Sequence, residues 1–365
     1  MRNNKVIHIS SLVELDDYLS TQDTENCNFV GYMWHEYGFF PIFFNDLFKE
    51  FFDTIKGKVI GTCFPGHEIF YEDKVDELIV LDGFIDTTKT YVNNKESELL
   101  TENFSKIKDK GIAFWYTLRN FDEDEYDLVL SKYKFKNTLF PIGRTVTWDK
   151  GLYLLSSNFN GYKYASGERD YWFDPTLSHM NRHGHTGWNL ENWTKDRHFE
   201  KIEDGEYSVI FVKNTWKTRK GNEYVGDGTE GEAGYGFLDF NLFDKIVQHY
   251  IDNKRKLVIV NDLVKFPIVK SPYITEFNMI GYFDVRRYLS LIHHSKIFMS
   301  SSTAPMDLAT YYCDTNYVVF DDSLNRNIRF FNKIAQLKNK KSISVESHSS
   351  VEWENLRKFI DEIYE

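Results

Sequence analysis

Seven short, nearly unbroken apolar runs punctuate this chain: NFVGYMW at 28–34, KVIGTCF at 58–64, ELIVLDGF at 77–84, YSVIFVKN at 207–214, KLVIVND at 256–262, KIFMS at 296–300 and NYVVF at 316–320. A strand with one wet face alternates polar and apolar residues. Runs without that alternation belong to strands covered on both faces, as in a parallel sheet. Helical spacing fills the gaps. In the segment 40–55, Phe40, Phe44, Leu47, Phe48 and Phe51 share one face, and in 240–252 Phe243, Ile246, Val247, Tyr250 and Ile251 do the same. Further helices are expected at 284–295, 304–312 and 351–364. The pattern is α/β, in two Rossmann-like halves.

A length of 365 residues suits two domains. The expected division is an N-terminal domain over 1–157, an irregular aromatic and His-rich insertion over 158–206, a C-terminal domain over 207–340 and a closing helix over 341–365. With 42% hydrophobic residues each domain can bury a core, which excludes a disordered chain. The net charge of -11 argues against a broad electrostatic grip on nucleic acid. Cys27, Cys63 and Cys313 have neither disulfide nor zinc spacing, so a reducing compartment is expected: cytoplasm, or host cytoplasm for a viral chain. The N-terminus carries no signal-like apolar stretch, and no run is long enough to predict a transmembrane segment.

The stretch HHSKIFMSSSTAPMDLATYYCDTNYVVF, 293–320, puts Ser300, Ser301, Ser302 and Thr303 between a strand and a helix. Ligands of open parallel sheets bind beyond the carboxyl ends of the strands, at such turns. Ser302 or Thr303 is placed to cap the helix, and Pro305 suits its first turn. Small residues and free N–H groups there suit a phosphate, although a plain capped helix start has the same residues. The segment resembles the nucleotide-sugar-binding part of GT-B glycosyltransferases, most closely the heptosyltransferase-like group, whose turn reads Ser-Gly-Pro-Met-His-Leu-Ala. Thr303-Ala304-Pro305-Met306-Asp307-Leu308-Ala309 stands in that place, with Pro305, Met306, Leu308 and Ala309 matching. Thr303, Ala304 and Asp307 replace Ser, Gly and His, so no donor preference is implied.

The resemblance spans roughly 207–322 and implies two Rossmann-like domains facing a cleft, with the acceptor on the first and a nucleotide-sugar donor on the second. Donor contacts are expected from Ser300, Ser301, Ser302, Thr303, Met306 and Asp307. A basic loop, TWKTRKGN, adds Lys213 before it and Lys217 and Arg219 within it, to neutralise a leaving diphosphate. In similar inverting enzymes the first domain's first turn holds the general base. Here GYMWHEYGFFPIFF offers Glu36 and His35, while the family's acid position just after Gly is Phe39.

GDGTEGEAGYG, 226–236, contains a literal Gly-x-Gly-x-x-Gly but lacks a preceding strand and a following helix, so it reads as an acidic loop. His179, His183, His185 and His198 carry no completing cysteine or carboxylate spacing, and no metal is expected. Acceptor contact is expected instead from Arg182, His183, His185 and Trp188, and from Trp193 and Arg197, as stacking faces and donors. No nucleophile elbow and no Walker lysine motif appear. The expected activity is sugar transfer, with inversion, from a nucleotide-sugar co-substrate to a hydroxyl of a glycan or glycolipid, without a cofactor. The alternatives are a phage-type transferase acting on a hydroxymethylated DNA base, and a catalytically silent glycan- or nucleotide-binding module.

Overall fold

The computed structural model describes residues 2, 4–32, 56–84, 123–139, 195–211, 217–220, 223–226, 240–261, 269–278, 284–301, 304–321, 328–346 and 352–365. The predicted helix at 40–55 lies outside them. Two parallel sheets form, each covered by helices, and the α/β expectation holds.

The first sheet contains β1 (Lys5–Ile9), β2 (Asn28–Val30), β3 (Val59–Cys63), β4 (Glu77–Leu81) and β5 (Asn137–Leu139), in the order β1-β4-β3-β2-β5. Every pairing is parallel. β3 is buried at all five positions, as an unalternating apolar run requires, whereas the edge strand β1 exposes Lys5, Val6 and His8. Helix α1 (Leu12–Ser20) buries Leu12, Leu15 and Leu19, and its N-cap Ser11 accepts the Glu14 N–H. Helix α2 (Glu123–Ser131) precedes β5. Where β4 ends, a side chain on Gly83 would come within 1.9 Å of the Ser10 carbonyl oxygen, so only glycine fits.

The second sheet contains β6 (Tyr207–Phe211), β9 (Lys256–Asn261), β10 (Ile274–Asn278), β11 (Ile297–Ser301), β12 (Asn316–Asp321) and β13 (Ser342–Glu346). Between β6 and β9 the chain inserts an antiparallel ribbon, β7 (Lys217–Lys220) with β8 (Glu223–Gly226), and then helix α3 (Phe240–Asp252). Helices α4 (Val285–His293), α5 (Ala304–Tyr312), α6 (Ile328–Leu337) and α7 (Trp353–Tyr364) follow. The order β10-β9-β6-β11-β12-β13 is that of a doubly wound nucleotide-binding sheet, with strands three, two, one, four, five and six side by side.

Alternation sorts the helices onto two faces. Phe211, Val260, Phe298 and Val319 join one core with residues of α4, α5 and α6. Ile210, Ile259, Met299 and Val318 join the other with α3 and α7. The first core is continuous with the interior of the first unit. Phe70 packs on Tyr312 at 6.1 Å, the Arg286 N–H donates to the Gly66 carbonyl at 3.3 Å, and the Arg286 guanidinium pairs with Glu72.

Three expectations need correction. The segment 341–365 is not all helix: Ser342–Glu346 is a strand that extends the second sheet, and the closing helix begins at Trp353. The basic stretch from Lys217 is a ribbon strand rather than a loop, paired Lys217↔Gly226 and Arg219↔Tyr224. The run at 77–84 leaves the sheet after Leu81 and turns through a single 3-10 turn, Asp82–Phe84.

Candidate functional site

In the second sheet, connections from β6 and β11 leave in opposite directions, which makes their carboxyl ends the topological switch point where ligands of such sheets bind. The serine run stands at that point. Ser300 and Ser301 are the last two residues of β11 and are both buried. Ser300 lies in register with Phe211 on β6 and Val319 on β12, on the side of the sheet that α5 covers. Its hydroxyl is fully enclosed and has no hydrogen-bond partner among the described residues. A buried hydroxyl left unpaired costs about 1–3 kcal/mol, which a ligand oxygen would recover.

Helix α5 begins three residues after β11 with Ala304-Pro305, as the turn chemistry predicts. Its first turn is held from below. The Tyr288 hydroxyl donates to the Pro305 carbonyl at 3.1 Å, and the Tyr288 ring packs edge-on against Phe211 and Phe298. Met306 is fully buried in that core, Asp307 is buried beside it, and the Thr310 hydroxyl donates to the Met306 carbonyl at 2.7 Å. Ser302 and Thr303, between strand and helix, lie outside the described residues, as does Lys213.

In the first sheet β2 lies between β3 and β5. The chain leaving β2 is fixed there: the Tyr71 hydroxyl donates to the Gly31 carbonyl at 2.8 Å, and Tyr32 is buried against Phe64 and Tyr126. His35 and Glu36 come next in sequence but lie outside the described residues. So do Arg182, His183, His185, Trp188 and Trp193.

Arg197 is placed differently from the expectation. It does not contribute a free stacking face, because its guanidinium lies 4.4 Å from the Tyr311 ring centre and 4.5 Å from that of Tyr312, and donates to the Tyr311 carbonyl. No group of metal ligands is found among the described residues, and His198 is exposed. Where the two units meet, burial pushes the Glu68 carboxyl up, and it likewise raises that of Asp284, the N-cap of α4. The pairing of Arg286 with Glu72 across the units leaves no local pattern in the sequence to read.

Replacing Ser300 by Ala tests the unpaired hydroxyl. The free protein is expected to keep its unfolding midpoint or gain up to about 1 kcal/mol, because no hydrogen bond is lost. Affinity for a nucleotide ligand is expected to fall about tenfold, measured by calorimetry.

No protein-family model and no curated protein matches this chain. Solved structures do. A family 9 glycosyl transferase from Veillonella parvula is 13% identical, with 93% of this chain and 92% of that one covered and a TM-score of 0.38. The E. coli ADP-heptose LPS heptosyltransferase II is 10% identical over 92% and 98% of the two chains, with a TM-score of 0.42. The iron-containing heptosyltransferase TibC of enterotoxigenic E. coli, solved with ADP-D-beta-D-heptose, is 12% identical over 84% and 61%, with a TM-score of 0.35. The likenesses are long but faint. At this level of identity a fold likeness does not carry a function; the sheet topology and the residues at the switch point do.

Proposed function

We propose that the chain is a nucleotide-sugar-dependent glycosyltransferase whose donor binds at the switch point at the ends of β6 and β11. The observation that carries this is the unpaired, buried Ser300 hydroxyl at the end of β11, two residues before the start of the loop-to-helix turn that opens α5. N–H groups at the amino end of α5 and hydroxyls of Ser300, Ser301, Ser302 and Thr303 would hold the diphosphate oxygens. Lys213, Lys217 and Arg219 would neutralise the charge that builds as the diphosphate leaves. Met306 and Asp307 would support that turn from inside the helix.

Glu36 or His35, on the segment that follows β2, takes the proton of the acceptor hydroxyl. The acceptor oxygen forms its bond to the anomeric carbon as the bond to the diphosphate breaks. The departing nucleoside diphosphate takes the electron pair. Attack from the face opposite the diphosphate gives inversion, and no metal or cofactor enters the step. Arg182, His183, His185 and Trp188 are proposed to meet the acceptor, a glycan or glycolipid hydroxyl. The net charge of -11 disfavours DNA as the acceptor. With no helix among the described residues long and apolar enough to cross a membrane, a cytoplasmic site of action is proposed with it.

Glu36→Gln separates the steps. Donor affinity is expected to stay within twofold while the rate of nucleoside diphosphate release falls at least a hundredfold, within the usual contribution of a general base. An unchanged rate in both Glu36→Gln and His35→Ala removes both from the reaction.

A further inference from the structure

The carboxyl end of α5 is occupied by two cations. The Lys338 ammonium donates to the Thr310 carbonyl at 2.6 Å and to the Cys313 carbonyl at 2.5 Å. The Arg197 guanidinium donates to the carbonyl between them, Tyr311, and is held between two tyrosine rings. The Tyr317 hydroxyl adds a donor to Cys313, at 2.7 Å. Carbonyls at a helix end carry the negative pole of its dipole, and cations there are stabilising. Both cations, however, come from outside the helix. Lys338 follows α6, and Arg197 belongs to the segment that enters the second unit.

We propose that Lys338 and Arg197 are positioning residues that set the anion affinity of the amino end of α5 from its opposite end. This rests on the donor-phosphate reading of that helix, for which the enclosed, unpartnered Ser300 hydroxyl is the independent sign of a ligand. A helix of nine residues is only about 13 Å long. Its negative pole would oppose an anion at the amino end across that distance. Covering the last carbonyls with buried charge cancels the opposition and reverses its sign, and a dry interior screens the effect weakly.

Lys338 is the adjustable member of the pair. Around it stand the Cys313 thiol just past the end of α5, Arg197 on the incoming segment, and Asp314 and Lys340, which pair with each other at 3.4 Å. Burial is the largest influence and brings the ammonium down to about 8, against the smaller upward pull of Cys313. An anion at the amino end favours the charged ammonium. By linkage, affinity is highest below pH 8 and falls as the pH passes through it.

Inorganic pyrophosphate is the probe, titrated by calorimetry at pH 7 and pH 9.5 into wild type, Lys338→Arg, Lys338→Met and Arg197→Gln. Lys338→Arg keeps its charge at both values, so dividing by it removes the ionisation of the probe itself. Relative to Lys338→Arg, the wild type is expected to lose about fivefold in affinity between pH 7 and pH 9.5. Lys338→Met should sit about fivefold low at pH 7 already, and Arg197→Gln should be weaker at both values while keeping the wild-type pH response. Wild type and Lys338→Arg running parallel, with binding still blocked by Thr303→Trp, overturns this proposal and leaves the donor site standing. No pyrophosphate binding in any variant overturns the donor reading and this proposal with it. Should Lys338→Arg not fold, the pH 7 comparison of wild type with Lys338→Met decides alone.

Discussion

Between neutral pH and pH 11 the folded state is expected to lose at least about 6 kcal/mol, enough to unfold a protein of ordinary stability. Cys63, Cys313, Tyr250 and Tyr317 are fully buried, and burial pushes all four groups well above their ordinary values. In the unfolded chain thiols ionise from about pH 8.5 and phenols from about pH 10, while the folded protein keeps them neutral. A group raised by folding lends stability that is complete below its unfolded value and lost as the pH climbs past it, at about 1.4 kcal/mol per pH unit each. Lys338, lowered to about 8, works the other way and returns about 3 kcal/mol by pH 10.5. The urea midpoint followed from pH 7 to pH 11 reads the balance. It should decline steadily above pH 9, less steeply above pH 10 in Tyr250→Phe. A midpoint that stays level to pH 11 would contradict the burial of these groups.

Thr303→Trp is expected to abolish donor binding, by at least a hundredfold, without unfolding the protein. The position follows the last strand residue of β11 by two and immediately precedes α5. On the proposed donor reading, an indole at this position competes with the diphosphate for the amino end of the helix. It leaves untouched the contacts that hold α5, namely the Tyr288 hydroxyl on Pro305, the packing of Met306 and the two cations at the other end. Retained affinity with a normal unfolding midpoint would make the serine run a helix cap and nothing more.

The second sheet was the more legible half. KLVIVN, IFMSS and NYVVFD are strands within one residue of their apolar runs at each end, and YSVIF begins where its run begins, because a strand buried on both faces cannot hide its composition. α5 begins where Ser/Thr followed by Ala-Pro predicts. The elements that escaped notice have mixed exteriors. β1, KVIHI, is an edge strand with exposed Lys5, Val6 and His8, β10 reads ITEFN, and β13 reads SISVE. Edge strands alternate weakly and look like loops in sequence. α1 was missed although Ser11 and Glu14 form a capping pair, a signal that was there to be read.

At the site the sequence located the turn but not its supports. The unpaired state of Ser300 follows from its register with Phe211 and Val319, which only the assembled sheet determines. Arg197 and Lys338 lie more than 100 residues apart along the chain, yet they meet on adjacent carbonyls of one helix end. Arg197 was read as an acceptor contact because arginine near tryptophan and histidine suggests a sugar. Its actual neighbours, Tyr311 and Tyr312, belong to a distant segment.

The most direct test of the donor site is thermal unfolding of wild type and Thr303→Trp with UDP-, GDP-, ADP-, CMP- and dTDP-sugars. At about 100 times its dissociation constant a donor stabilises the fold by about 2.7 kcal/mol, a rise of about 3–5 °C for a chain this long. One nucleotide class is expected to raise the wild-type midpoint by that amount and to leave Thr303→Trp unmoved. Equal shifts in both proteins, or none in the wild type with any of the five, would contradict a nucleotide-sugar site at the end of β11.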